Sequence, residues 1–164
     1  MKISQRLAVL AGVTVLLPSL SLALAQEQGE KTIQRSDLPL AVQKTVAREK
    51  SGYSIRGYSE ETANGQILYE VKFNIPGSFH KTDKSLTMDA DGSVVEVEEW
   101  TSQYSLPREV LQGLKAQAGG GKIVKYKTIT KSGQLVAYEA KVMTNGKKSE
   151  VQVGPNGIPL DHEK

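Results

Sequence analysis

The stretch Ile67-Leu68-Tyr69-Glu70-Val71-Lys72-Phe73-Asn74-Ile75 decides how the rest of the chain is laid out. Its odd-numbered positions are all apolar or aromatic, and Glu70, Lys72 and Asn74 stand between them. A period of two gives a strand one buried and one solvated face. Asn64-Gly65 stands just before it, a pair that supplies the positive φ of a tight hairpin turn. Much the same segment returns as Val136-Ala137-Tyr138-Glu139-Ala140-Lys141-Val142, behind Ser132-Gly133, with Tyr-Glu-x-Lys kept.

Other pieces recur around these two strands. Leu38-Pro39 and Leu106-Pro107 are 68 positions apart, Tyr69-Glu70 and Tyr138-Glu139 are 69 apart, and Asp91-Gly92 and Asn156-Gly157 are 65 apart. A near-constant offset is the mark of internal repetition. The drop from 69 to 65 makes the loop Pro76 to Lys84 the longer of two equivalents, a place where function is often added.

Each half opens on a helix pattern. Ser36-Asp37-Leu38-Pro39 supplies capping side chains and a proline tolerated in a first turn. Leu38, Val42 and Val46 follow as an apolar stripe, and Gly52 is the terminator. Ser105-Leu106-Pro107 opens the second helix, with Val110, Leu111, Leu114 and Ala118 as its stripe and Gly119-Gly120-Gly121 at its end. Strands are expected near 53–61, 67–75, 85–90, 94–100, 123–130, 135–143 and 149–153, with at most a short last strand at 158–160, weakened by Pro159. On the fourth of these, parity sets Val95 and Val97 against Glu96, Glu98 and Trp100.

The N-terminus has the layout of a secretory signal. Lys2 and Arg6 are its basic end, Leu7 to Leu17 its apolar run, and Ala23-Leu24-Ala25 offers small residues for cleavage after Ala25. The run is short of the roughly 20 residues that a spanning helix needs. Residues 26–35 then read as a flexible leader. The chain has no cysteine, so no disulfide staples it and no thiol serves as nucleophile or ligand.

Without Lys2 and Arg6 there are 19 basic and 18 acidic residues, so the sequence makes no electrostatic case for nucleic acid. The charge is unevenly divided: residues 26–100 carry 9 basic and 13 acidic side chains, residues 101–164 carry 10 and 5. Opposite signs favour packing of the halves or a bipolar surface. Lys122, Lys125 and Lys127 around Tyr126 read as a lysine-protected edge strand.

Leu38-Pro39, Tyr69-Glu70-Val71-Lys72-Phe73 and Asp89-Ala90-Asp91-Gly92 resemble the PepSY and PepSY-like family, as do Leu106-Pro107, Tyr138-Glu139-Ala140-Lys141 and Asn156-Gly157. That resemblance implies an α+β fold of two tandem repeats, 36–100 and 101–164, each one helix packed on a four-stranded antiparallel sheet. It also implies, by likeness to beta-lactamase-inhibitor-type proteins, a sheet face that grips another protein, and a peptidase as a candidate partner.

Motifs for chemistry are sparse. His80 and His162 lie far apart, and neither has a carboxylate or second histidine at zinc-binding spacing. Ser78 beside His80 lacks a strand-to-helix elbow. Asp89, Asp91, Gly92 and Glu98 match part of a calcium loop, but Thr87 stands where its first ligand belongs and the flanks read as strands. No catalytic residue, metal ligand or cofactor is assigned, and the chain is read as a non-enzyme.

The partner-binding candidates are Tyr58, Phe79, His80, Glu96, Glu98, Trp100 and Tyr104. Tryptophan and tyrosine dominate many protein interfaces; sealing the junction between the halves is the other role open to Trp100 and Tyr104. The expectation is a periplasmic or secreted binding protein, a peptidase inhibitor or modulator, acting through a sheet face and the 76–84 loop. It would contact protein, not nucleic acid, with no stable membrane insertion once the signal is cleaved. The alternative is a small-ligand or calcium-binding envelope protein using the acidic residues of the first half.

Overall fold

The computed structural model describes residues 30–50, 52–74 and 84–160. Along the chain come β1 (Lys31–Ile33), α1 (Leu40–Glu49), β2 (Ser54–Ala63), β3 (Gln66–Asn74), β4 (Lys84–Met88) and β5 (Val94–Thr101). Then follow α2 (Arg108–Gln117), β6 (Lys122–Lys131), β7 (Gln134–Thr144) and β8 (Lys147–Val153). Short 3-10 turns at Arg35–Asp37 and Gln103–Ser105 precede the two helices.

The helices start later than the capping residues suggest. Proline holds the residue before it in extended backbone, and Leu38 and Leu106 adopt ψ of 139° and 140°. Pro39 and Pro107 therefore become the N-caps, and Ser36 and Asp37 belong to the turn before α1. There the Asp37 carboxylate accepts from the Gln34 amide at 2.8 Å.

All eight strands form one antiparallel sheet in the order β1 to β8, each beside its sequence neighbour. Two tandem repeats, each one helix on its own four-stranded sheet, do not form. The reason is the seam between β5 and β6, paired from Glu96 opposite Lys131 to Thr101 opposite Tyr126. In a separate four-stranded unit β5 would leave its outer N–H and C=O groups unpaired; β6 satisfies them and merges the two halves. The charge asymmetry acts here. Glu96 meets Lys131 at 3.3 Å and Glu98 meets Lys127, acidic strand against basic strand.

Three further expectations change. Within the expected leader, Lys31–Ile33 pairs with β2 and Ile33 is 7% exposed in the core, because its β-branched side chain lies opposite Tyr58. β6 is an interior strand between β5 and β7, not an edge. An irregularity between Thr87 and Met88 sets Val94 opposite Met88, so Val94 and Val97, instead of Val95 and Val97, pack on the core. The signal segment 1–25 and residues 76–83 of the long loop lie outside the described residues.

Both helices lie on the same side of the sheet. Leu38, Val42 and Val46 pack with Tyr69, Val71, Phe73, Leu86 and Met88. Val110 and Leu114 pack with Tyr138, Ala140 and Val153. Paired residues in neighbouring strands share a face. The pairings Val71–Leu86, Leu86–Val97, Glu99–Thr128 and Thr128–Tyr138 carry that one face from β3 to β7. The alternation that sends Tyr69, Val71 and Phe73 inward sends Glu70 and Lys72 to the opposite face.

Candidate functional site

Among the described residues no helix covers that opposite face, and its middle is built by the register of four strands. Trp100 on β5 lies opposite Lys127 on β6, Lys127 opposite Glu139 on β7, and Glu139 opposite Gln152 on β8. One residue pair back, Glu98 lies opposite Ile129 and Ile129 opposite Ala137. Glu96 stands two residues from Glu98 and shares its face.

The charged groups here are bound to one another. Lys127 Nζ contacts the Glu98 carboxylate and lies 3.4 Å from Glu139 Oε1. Gln152 Nε2 donates to Glu139 Oε2 at 3.1 Å, while Glu139 Oε1 has no hydrogen bond. Glu139 is 3% exposed. Burial pushes its carboxyl above the usual range, opposed by Lys127 and reinforced by Glu98. For Lys127 burial works towards a lower value, but Glu98 and Glu139 together outweigh it and the ammonium is held above its usual value. Burial outweighs the pull of Lys127, so Glu139 is raised despite its ion pair, and the second carboxylate of Glu98 adds to it.

The β1–β4 end of the same face is laced in a similar way. Lys72 Nζ lies 2.6 Å from Glu30 and 2.8 Å from Glu70, and Ser59 Oγ donates to Glu70 at 3.3 Å. Glu61 is raised by burial and by the carboxylates of Glu70, Glu30 and Glu96.

Over β5 to β8 on this face lies an open cleft of about 250 Å³. Ile129 and Ala137, 4% and 3% exposed, form an apolar floor although no helix among the described residues lies over them. Glu96, Glu98, Lys131 and Gln152 supply its polar walls and Leu160 an apolar one. Leu160 is placed by the chain turning back along β8: Val153 pairs with Pro159, and the Leu160 amide donates to the Gln152 carbonyl at 3.1 Å.

The structure brings together three of the seven partner-binding candidates. Glu96, Glu98 and Trp100 share the open face, with Trp100 37% exposed. Tyr58 does not join them: it lies opposite the buried Val71 and packs, partly buried, against the core on the helix side. Tyr104 is 89% exposed in the 3-10 turn before α2. Phe79 and His80 lie outside the described residues. Lys127, Glu139 and Gln152 were not among the candidates. The Tyr-Glu-x-Lys pattern held the signal, since it places Glu139 on the face opposite Tyr138, but only the β6 and β8 registers show what Glu139 meets.

The acidic residues of the calcium alternative are dispersed. Glu96 and Glu98 pair with lysines, and Glu99 lies on the helix side with Lys84 at 3.6 Å. Asp89 and Asp91 accept from Ser93 within the turn. Among the described residues no group of three or more His, Cys, Asp or Glu side chains is arranged to hold a metal ion. No described helix is long and apolar enough to cross a membrane.

No protein-family model matches the chain, and no curated protein matches it. Solved structures do. A DUF2874 family protein from Bacteroides ovatus superposes with a TM-score of 0.54 at 18% identity, covering 76% of this chain and 85% of that one. A Bacteroides eggerthii protein, provisionally described as periplasmic, gives 0.49 at 12% identity, over 76% and 86% of the two chains. A DUF2874 protein from Bacteroides vulgatus, also provisionally described as periplasmic, gives 0.36 at 18%, over 84% and 97%. The resemblance to the PepSY family is thereby overturned: the likeness found is to a DUF2874 protein. Its motifs were Leu-Pro helix starts and a Tyr-Glu-x-Lys alternation, which record a two-faced strand. The chain is similar in fold to the DUF2874 protein of Bacteroides ovatus, and the likeness is one of fold.

Proposed function

We propose that this chain is an exported, non-enzymatic binding protein of the periplasm that recognises another protein through the open face of its sheet, around Glu96, Glu98 and Trp100. One observation carries the reading. Both helices pack on one side of an eight-stranded sheet, and the other side keeps a partly exposed tryptophan beside a cleft with a buried apolar floor. An aromatic anchor bordered by ion-paired charge is the composition of an interface centre with a polar rim. The carboxylates and ammonium groups of the face are engaged with each other, which suits a surface that is matched by a partner. Export rests on Lys2 and Arg6, the apolar run Leu7 to Leu17 and Ala23-Leu24-Ala25. A peptidase as partner rested on the PepSY resemblance and goes with it.

The test is capture of a partner from periplasmic extract by the parent, by Trp100→Ala and by Leu40→Ala, the last changing an exposed residue of α1. The expected result is a partner retained by the parent and Leu40→Ala and lost by Trp100→Ala. Retention of that partner by Trp100→Ala overturns the reading.

A further inference from the structure

We infer that the cleft between Glu96, Glu98 and Leu160 is the socket for a single lysine side chain carried on an extended segment of the partner protein. This rests on the open face being the recognition surface, and it names the chemistry recognised there.

Size comes first. Pockets for drug-sized ligands and cofactors run from about 300 to 1,000 Å³. At about 250 Å³ and open on one side, this cleft suits one long side chain. The lining comes second. Ile129, Ala137, Val136 and Leu160 offer apolar surface, and Glu96 and Glu98 stand together on one wall, Glu98 in contact with Lys127 and Glu96 with Lys131. A lysine is built for that combination, since its alkyl stem lies on apolar surface while its ammonium seeks carboxylate.

The third observation is that the chain already shows the fit. Lys131 Nζ reaches Glu96 Oε2 at 3.3 Å while its side chain stays 61% exposed. An exposed ion pair of this kind holds its partners weakly, so Lys131 can move aside for an ammonium better seated over Ile129.

The exported chain, with its Ile, Leu and Ala methyls labelled, is titrated by NMR with a hexapeptide bearing one central lysine. The same titration is run with norleucine in that position, which keeps the stem and deletes the ammonium. The lysine peptide is expected to shift the Ile129, Ala137 and Leu160 methyls saturably, and the norleucine peptide to bind at least tenfold more weakly. Glu96→Gln is expected to weaken the lysine peptide several-fold while its circular dichroism and melting stay those of the parent. Absent shifts, or equal shifts with norleucine, overturn the socket without needing any variant. If the lysine peptide is silent while capture still depends on Trp100, the socket falls and the recognition face stands. If capture is also insensitive to Trp100, both fall.

Discussion

Thr45 Oγ1 donates a 2.8 Å hydrogen bond to the carbonyl oxygen of Gly92, tying the middle of α1 to the turn between β4 and β5. Thr45 is 6% exposed, so water does not replace that bond. Gly92 itself must be glycine: its φ is +83°, and a Cβ there would stand 2.7 Å from the Ala41 carbonyl oxygen. Thr45→Val keeps the shape and leaves the Gly92 carbonyl unsatisfied. The expected cost is about 1–3 kcal/mol, read as a lower midpoint in chemical denaturation with an unchanged slope.

On α2 the corresponding contact is made by a glycine. A Cβ on Gly113 would overlap the carbonyl oxygen of Gly157 and approach Val153. Helix propensity alone favours Gly113→Ala by about 1 kcal/mol. The contact predicts the opposite sign, because overpacking costs about 1–3 kcal/mol and the obstacle is backbone. Thermal melting decides between them, and a lower midpoint for Gly113→Ala is expected.

Lys127 is the one cation between Glu98 and Glu139 in the network described. Lys127→Met keeps much of the stem and removes the charge, leaving two carboxylates facing each other. Breaking a buried pair from one side costs about 3–5 kcal/mol, and a loss of that order is expected at neutral pH. Lys131→Met is the control. Lys131 is exposed, and its pair with Glu96 is expected to contribute about 1 kcal/mol or less.

Glu139 makes stability depend on pH in a definite direction. Its folded-state value lies above the ordinary glutamate value of 4.5, so the folded chain holds that proton more tightly than the unfolded chain does. The ionised form is the disfavoured one, so its contribution to stability falls as pH rises through the folded value and recovers as pH drops back towards 4.5. Glu139→Gln keeps a carbonyl oxygen for Gln152 and removes the charge. The variant is expected to gain on the parent as pH rises from 4.5 to neutrality, in paired melts across that range. A difference that stays flat over the range overturns this.

Local order could be read from the residues in some detail. The alternation from Tyr69 to Phe73 set the buried face of β3, although Ile67 at its start is 51% exposed, and the same argument correctly placed Glu96, Glu98 and Trp100 together on β5. Asn64 and Asn145, at φ of 51° each, take the positive-φ turn positions expected of Asn-Gly pairs. Parity did not suffice at Tyr58, whose partners on β1 and β3 were unknown, nor at Val95, where a single irregularity shifts the register. These failures share a cause: periodicity reports which residues alternate along a strand, whereas a face acquires meaning only from the strands beside it.

By itself, then, the sequence determined strands β2 to β8, the turns between them, the two helical stripes and the uneven division of charge, because each follows from neighbours along the chain. Only the tertiary structure decided that the halves merge through β5 and β6 into one sheet, that both helices take the same side, and that Glu139 is buried against Lys127. Those outcomes depend on hydrogen bonds and ion pairs between residues some 30 positions apart or joined across strands, such as Glu98 with Lys127. Backbone groups at a strand edge are alike in every sequence, so what they pair with is settled by packing and charge in three dimensions.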